Sequence, residues 1–181
     1  MCIRDSQRDV RVVGFFTTAM ASFGLVVLVG LIRPGFAPPE PVLPAGSQPS
    51  EIVARFGDRL ALTGVELPTS PLAIGQPVPL RLTWWASQPL AEDLRPTLRL
   101  RHQDGWLAAE WSHSPAGGRY STDRWQAGEV IADDFLLAPQ PASAGMYVVE
   151  LGVRPFNGDW LTPSGRDASG PFVTLGQVEF R

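Results

Sequence analysis

Val78-Pro-Leu-Arg-Leu-Thr-Trp-Trp-Ala86 places Leu80, Leu82 and Trp84 at alternate positions and Arg81, Thr83 and Trp85 between them. Successive side chains of an extended chain point to opposite faces, so this nonapeptide reads as a strand with one face on a core and the other in water. The pattern recurs at 97–103, where Leu98, Leu100 and His102 alternate with Thr97, Arg99 and Arg101. Asp104-Gly105 then supplies a hairpin turn, with Leu107, Ala109 and Trp111 on the return strand. Upstream, 52–57 and 59–67 read as strands, the second carrying Leu60 and Leu62, and a turn-prone stretch follows at 68–77. Downstream, 128–137, 145–154 and 172–180 have strand character, and Asn157-Gly158 is a second hairpin signal. The fold class predicted is all-β: an immunoglobulin-like antiparallel β-sandwich of seven or eight strands over 51–181, with no further helix in that span.

The chain before this domain has a different character. Residues 12–32 carry no charge, and a helix of roughly 21 residues rising about 1.5 Å each spans a bilayer core. Arg4, Arg8 and Arg11 precede the run, Arg33 follows it at once, and the next basic residue is Arg55. The positive-inside bias places the N-terminus in the cytoplasm and the β domain outside it. A cleaved signal ending at Gly35-Phe36-Ala37 is the competing reading, but a signal's apolar region is usually about 7 to 15 residues, which favours a retained transmembrane helix over 7–33. Six prolines between Pro34 and Pro49 fix φ and remove amide donors, making 34–50 a stiff linker. Residues 1–6 resemble translated sequencing adaptor and are set aside as a non-native lead.

A net charge of -3 and a pI near 5.3 give no basic face for phosphate backbones, which excludes nucleic acid as a partner. All basic residues are arginine, and Cys2 is the single cysteine, so no disulfide framework holds the domain.

No metal-ligand spacing, glycine-rich phosphate loop or nucleophile elbow occurs, so no catalytic residue, metal or cofactor is nominated. His102 and His113 are the only histidines. Ser112 and Ser114 flank His113 without a catalytic motif, and His102 reads as a core histidine bonded to backbone. Asp133 and Asp134 point to opposite faces of an extended segment, so they do not form an acid–base pair; one is expected to bond a turn or neighbouring loop. Asp123, Asp133 and Asp134 could supply oxygens to Ca²⁺, although a site needs six to eight. Exposed tryptophan stacks on sugar faces, making Trp85, Trp106, Trp125 and Trp160 candidate glycan contacts, while burial in a small core is the commoner fate of such rings.

Longer stretches carry a family resemblance. Pro115-Ala-Gly-Gly118-Arg-Tyr120-Ser-Thr122-Asp-Arg-Trp125-Gln-Ala-Gly128-Glu-Val-Ile-Ala-Asp133 is followed by Gly145-Met-Tyr147-Val-Val-Glu-Leu-Gly152-Val153. These segments resemble the C-terminal extracytoplasmic β-sandwich of bacterial polytopic membrane glycosyltransferases related to dolichyl-phosphate-mannose protein mannosyltransferases. Arg33-Pro-Gly-Phe-Ala-Pro-Pro resembles the exit from the last membrane helix of that family. Phe56-Gly-Asp-Arg-Leu-Ala-Leu-Thr-Gly and Leu80-Arg-Leu-Thr-Trp84-Trp85 resemble its early strands. Arg154, where the family often has tyrosine, and Gln103, where it has leucine, depart from the pattern. The resemblance implies that catalysis by acidic residues on a lipid-phosphate sugar donor belongs to a membrane part with no counterpart here. Glu40 is the only acid near the exported end of the helix. The implied protein is therefore a non-catalytic accessory domain, a fragment whose partners are the membrane through 12–32 and the missing catalytic part. A single-pass carbohydrate-binding or envelope interaction module is the alternative. In either case Gly118, Tyr120, Thr122, Trp125, Gly128 and Asp133 read as fold-specifying: glycines for turns, Trp125 as anchor, Thr122 bonding backbone.

Overall fold

The structure, a computed structural model, describes residues 48–138, 143–165 and 167–181. Ten strands follow one another: β1 (Ala54–Phe56), β2 (Leu60–Glu66), β3 (Val78–Ala86), β4 (Leu94–His102), β5 (Leu107–Ser112), β6 (Val130–Leu137), β7 (Gly145–Pro155), β8 (Pro163–Gly165), β9 (Ala168–Ser169) and β10 (Phe172–Phe180). They build two five-stranded sheets, ordered β6-β3-β2-β1-β8 and β5-β4-β7-β10-β9. Every pairing within the sheets is antiparallel.

Period-2 patterning decides which face turns inward. In β3, Val78, Leu80, Leu82 and Trp84 are buried while Pro79 and Arg81 are exposed. In β4, Leu98 and Leu100 are fully buried, and across the ladder Leu151 and Val149 of β7 join them. These residues form one apolar core with Phe56, Leu62, Trp125, Ile131, Tyr147 and Phe180, drawn from both sheets, as a β-sandwich requires. Burying each such side chain stabilises the fold by about 1.5–3 kcal/mol.

Several expectations are corrected in detail. The strands number ten among the described residues, because β8 and β9 are only three and two residues long, too short to display alternation. β4 begins three residues earlier than expected, at Leu94. Leu107 does not share a face with Ala109 and Trp111. The ladder pairs Leu100 with Ala109 but Arg101 with Leu107, so Ala108 is an extra, bulged residue; it is buried, and Leu107 is turned to solvent. Asn157-Gly158 does reverse the chain, bringing the Leu161 amide onto the Val153 carbonyl, but the chain then crosses to β8 in the other sheet. Trp85 lies on the solvent side of β3 and is nonetheless buried, packed with Ala61, Val130 and Ile52 in a small second cluster beneath the Arg55 guanidinium.

The membrane helix expected over 7–33 and most of the proline-rich linker lie outside the described residues. Among the described residues no helix is long and apolar enough to cross a membrane.

Candidate functional site

β5 ends one sheet and β6 ends the other, on the same side of the sandwich, and residues 113–129 run between them. This connection has two short 3₁₀ turns, Ala116–Gly118 and Thr122–Arg124, and little apolar content, so buried polar groups hold it. Thr122 Oγ1 accepts the Leu94 amide at 2.6 Å and donates to the Glu92 carbonyl at 3.0 Å. Trp125 is fully buried and its indole Nε1 donates to the Tyr120 carbonyl at 3.1 Å. Gly128, at φ +84°, turns the chain into β6 and gives its amide to Ala86. Tyr120 donates its hydroxyl to the Glu129 carboxylate and the Arg124 carbonyl. Burial first, and then the bond to Glu129, push its phenol above the ordinary tyrosine range.

Asp133 is the deepest charged group of the site, with no exposed surface. Its Oδ1 accepts the Ala116 amide at 2.9 Å and its Oδ2 lies 2.6 Å from His113 Nε2. An ionised carboxylate only accepts, so Nε2 is the donor to Oδ2. Nδ1 has no hydrogen-bond partner among the described residues. The pair joins the two sheets at their shared edge, with the His113 ring against Phe135 at 3.8 Å between centroids. Asp134 points the opposite way, as alternation requires, and meets Arg81 through Nε at 2.6 Å and Nη2 at 3.1 Å. The Arg81 hydrogen bond holds the Asp134 carboxyl below the ordinary aspartate range, and the same bond raises the Arg81 guanidinium.

The loop, β5, β6 and the end of β2 enclose a cleft of about 1000 Å³. Trp111, Phe135, Leu136 and Leu80 give it apolar walls, and Glu66, Arg81, Asp134, His113 and Ser114 give it polar ones. Trp111 is 47% exposed, its ring tilted 54° to Phe135 at 5.3 Å. A smaller cleft of about 220 Å³ lies between Phe56–Arg59 and Leu90–Leu94.

The four tryptophans singled out from sequence do not meet at one place. Trp125 has no accessible face and Trp85 is 9% exposed, so neither can stack on a ligand; both serve packing. Trp106 is 40% exposed at the β4–β5 turn, with one side laid on His102 at 5.0 Å and its edge to Tyr147. Trp160 lies on Phe172, with the Arg154 guanidinium 4.8 Å above it. The tryptophan that lines the large cleft is Trp111, which the sequence places on the return strand but does not single out; it pairs with Leu98, and β5 is the edge strand of its sheet among the described residues.

His102 is buried and accepts the Asp104 amide through Nδ1 at 3.2 Å. Ser112 bonds Thr97 rather than His113, and among the described residues no hydroxyl bonds the free His113 Nδ1. Asp123, Asp133 and Asp134 do not converge, and among the described residues no group of three or more potential metal ligands occurs. The six residues read from sequence as fold-specifying all lie in or beside the β5–β6 connection.

No family model matches this chain, and no curated protein does. Among solved structures it is similar to the C-terminal domain of Wzt, with a TM-score of 0.52 and 12% identity over 76% of this chain and 82% of that one. At that identity the likeness shows the fold alone.

Proposed function

We propose that this chain is an immunoglobulin-like, non-catalytic, extracytoplasmic accessory domain of a bacterial membrane glycosyltransferase related to dolichyl-phosphate-mannose protein mannosyltransferases. Its role in that setting is to hold or position the acceptor outside the membrane while the chemistry proceeds elsewhere. One observation supports this above the others. The motif that carries the resemblance is committed to scaffold: Thr122, Trp125 and Asp133 are fully buried and bonded inward, which fixes a long loop without assembling a nucleophile and base. The membrane segment over 12–32 would tether the domain, with the N-terminus cytoplasmic.

The test is to recover the contiguous coding DNA upstream of codon 7. A polytopic frame with an acidic first loop is the expected result. Transfer from a lipid-phosphate sugar to a small acceptor should then survive deletion of 51–181, while modification of the natural acceptor falls. A native start codon immediately before Arg8 would overturn the reading. A second reading, a single-pass carbohydrate-binding or envelope module, is favoured by the exposure of Trp111 and Trp106 beside polar groups.

A further inference from the structure

The cleft at the β5–β6 edge carries two features that packing alone does not require. The first is Trp111. It stands on the inward face of β5, opposite Leu98, yet about half of it is open, and among the described residues no strand lies beyond β5. The second is the backbone of the wall. Ala116, Gly117 and Gly118 succeed one another at φ +55°, +62° and +74°, three consecutive left-handed residues. Such a conformation at alanine costs on the order of 1 kcal/mol and persists only where the surroundings impose it. Here the buried Asp133 imposes it, by accepting the Ala116 amide while His113 holds the other oxygen. The turn brings Gly117 and Gly118, which have no side chains, to the cleft surface.

We infer that this cleft is a binding site for a neutral hexopyranose chain, with Trp111 as the stacking platform. An indole face matches the patch of C–H groups on one side of a pyranose ring, and Phe135 braces that indole in place. Hydroxyls around the ring require donors and acceptors at the rim, and Glu66, Arg81, Asp134 and Ser114 provide them. Arg81 and Asp134 already satisfy each other with two bonds, so they present a fixed, planar polar edge rather than two mobile charges. Glu66 stands opposite Arg81 in the ladder and makes no ion pair of its own among the described residues. Two carboxylates against one guanidinium leave the rim net negative, which selects against uronic acids and phosphorylated sugars. The inference deepens the accessory reading by giving the chemical class of the acceptor, and it rests on that reading only for where the glycan comes from.

The experiment uses the full chain in a detergent lacking a sugar headgroup. Titration calorimetry and tryptophan fluorescence are run with neutral gluco-, manno- and chito-oligosaccharides, with a uronic acid oligomer, and with a peptide of residues 34–49. The expected result is saturable binding of at least one neutral oligosaccharide in the millimolar range or tighter. Trp111→Ala should weaken it at least about tenfold, and Glu66→Gln more mildly. Phe156→Ala, remote from the cleft, should leave it unchanged. Trp111 is half exposed on an edge strand, so an unaltered urea midpoint will show that its variant folds, and Trp111→Phe should restore part of the binding. Absence of binding by every neutral sugar overturns the inference, as does binding that survives Trp111→Ala, preference for the uronic acid oligomer, or binding of the proline-rich peptide alone. Upstream sequence tests the parentage and this titration tests the cleft, so either can fail without the other.

Discussion

Replacing Asp133 by alanine is expected to destabilise the domain by about 3–4 kcal/mol. The carboxylate is fully buried and accepts two hydrogen bonds, from the Ala116 amide and from His113 Nε2. Truncation strands both donors. The Ala116 amide belongs to a buried residue, and a buried donor left unmade costs about 1–3 kcal/mol. His113 Nδ1 already has no partner among the described residues, so the whole imidazole would lose its polar contacts, at about the same cost again. Two such terms give roughly 2–6 kcal/mol. The His113 ring retains some exposure and can turn toward water, which places the expectation in the lower half of that range. Asp133→Asn keeps the shape, can still accept the Ala116 amide, and can donate to the other histidine tautomer. It should cost only about 1 kcal/mol. Urea denaturation at neutral pH reads both, as a shift in midpoint at constant slope. Equal losses for the two variants, or a loss below about 1 kcal/mol for Asp133→Ala, would refute the account of the loop as held by this carboxylate.

Other expectations follow from separate parts of the fold. A Cβ at Gly152 would stand 2.7 Å from Phe172 Cε1 and 3.0 Å from Trp160 Cζ3, so Gly152→Ala must lift both rings and their arginine partners off the sheet; a loss of about 1–3 kcal/mol in the same assay is expected, and a neutral result would show the rings free to move. Asp134 should titrate below ordinary aspartates by carboxyl NMR and return toward them in Arg81→Ala. Because its folded pKa is depressed, its small contribution is present above the ordinary aspartate pKa and lost as pH falls through the folded value; this exposed pair should add little to stability at neutral pH. Tyr120 has a raised folded pKa, so it keeps its proton where an unfolded chain would lose it. Stability should therefore fall as pH climbs above about 10, less steeply in Tyr120→Phe, as read by thermal melts across alkaline buffers.

Much of the sandwich was legible because its central strands obey a local rule. In β3 and β4 the leucines and Trp84 that alternate in sequence are the buried ones, with Trp85 and Thr97 buried against the alternation, and Asp104-Gly105 marks the turn between β4 and β5. Thr122, Trp125 and Asp133, read from sequence as fold-specifying, are buried and bonded to backbone at the β5–β6 connection. The site was less legible. Trp111 pairs with the core residue Leu98 but, among the described residues, has no strand on its far side, a property of strand order rather than of its own segment. Conversely, Trp85 reads from sequence as a candidate glycan contact and is covered by partners distant in sequence.

The sequence by itself determined the all-β class of the fold, the inward face of the apolar residues in β3 and β4, and the opposed directions of Asp133 and Asp134. These depend on the two-residue period of an extended chain, which is local. Tertiary structure alone decided that β5 and β6 are edges on the same side. It also decided that His113 and Asp133, twenty positions apart, meet across the two sheets, and that Trp111 faces a cleft instead of the core. Which strand lies beside which is settled by the combined packing of all ten, and no single segment records its neighbours.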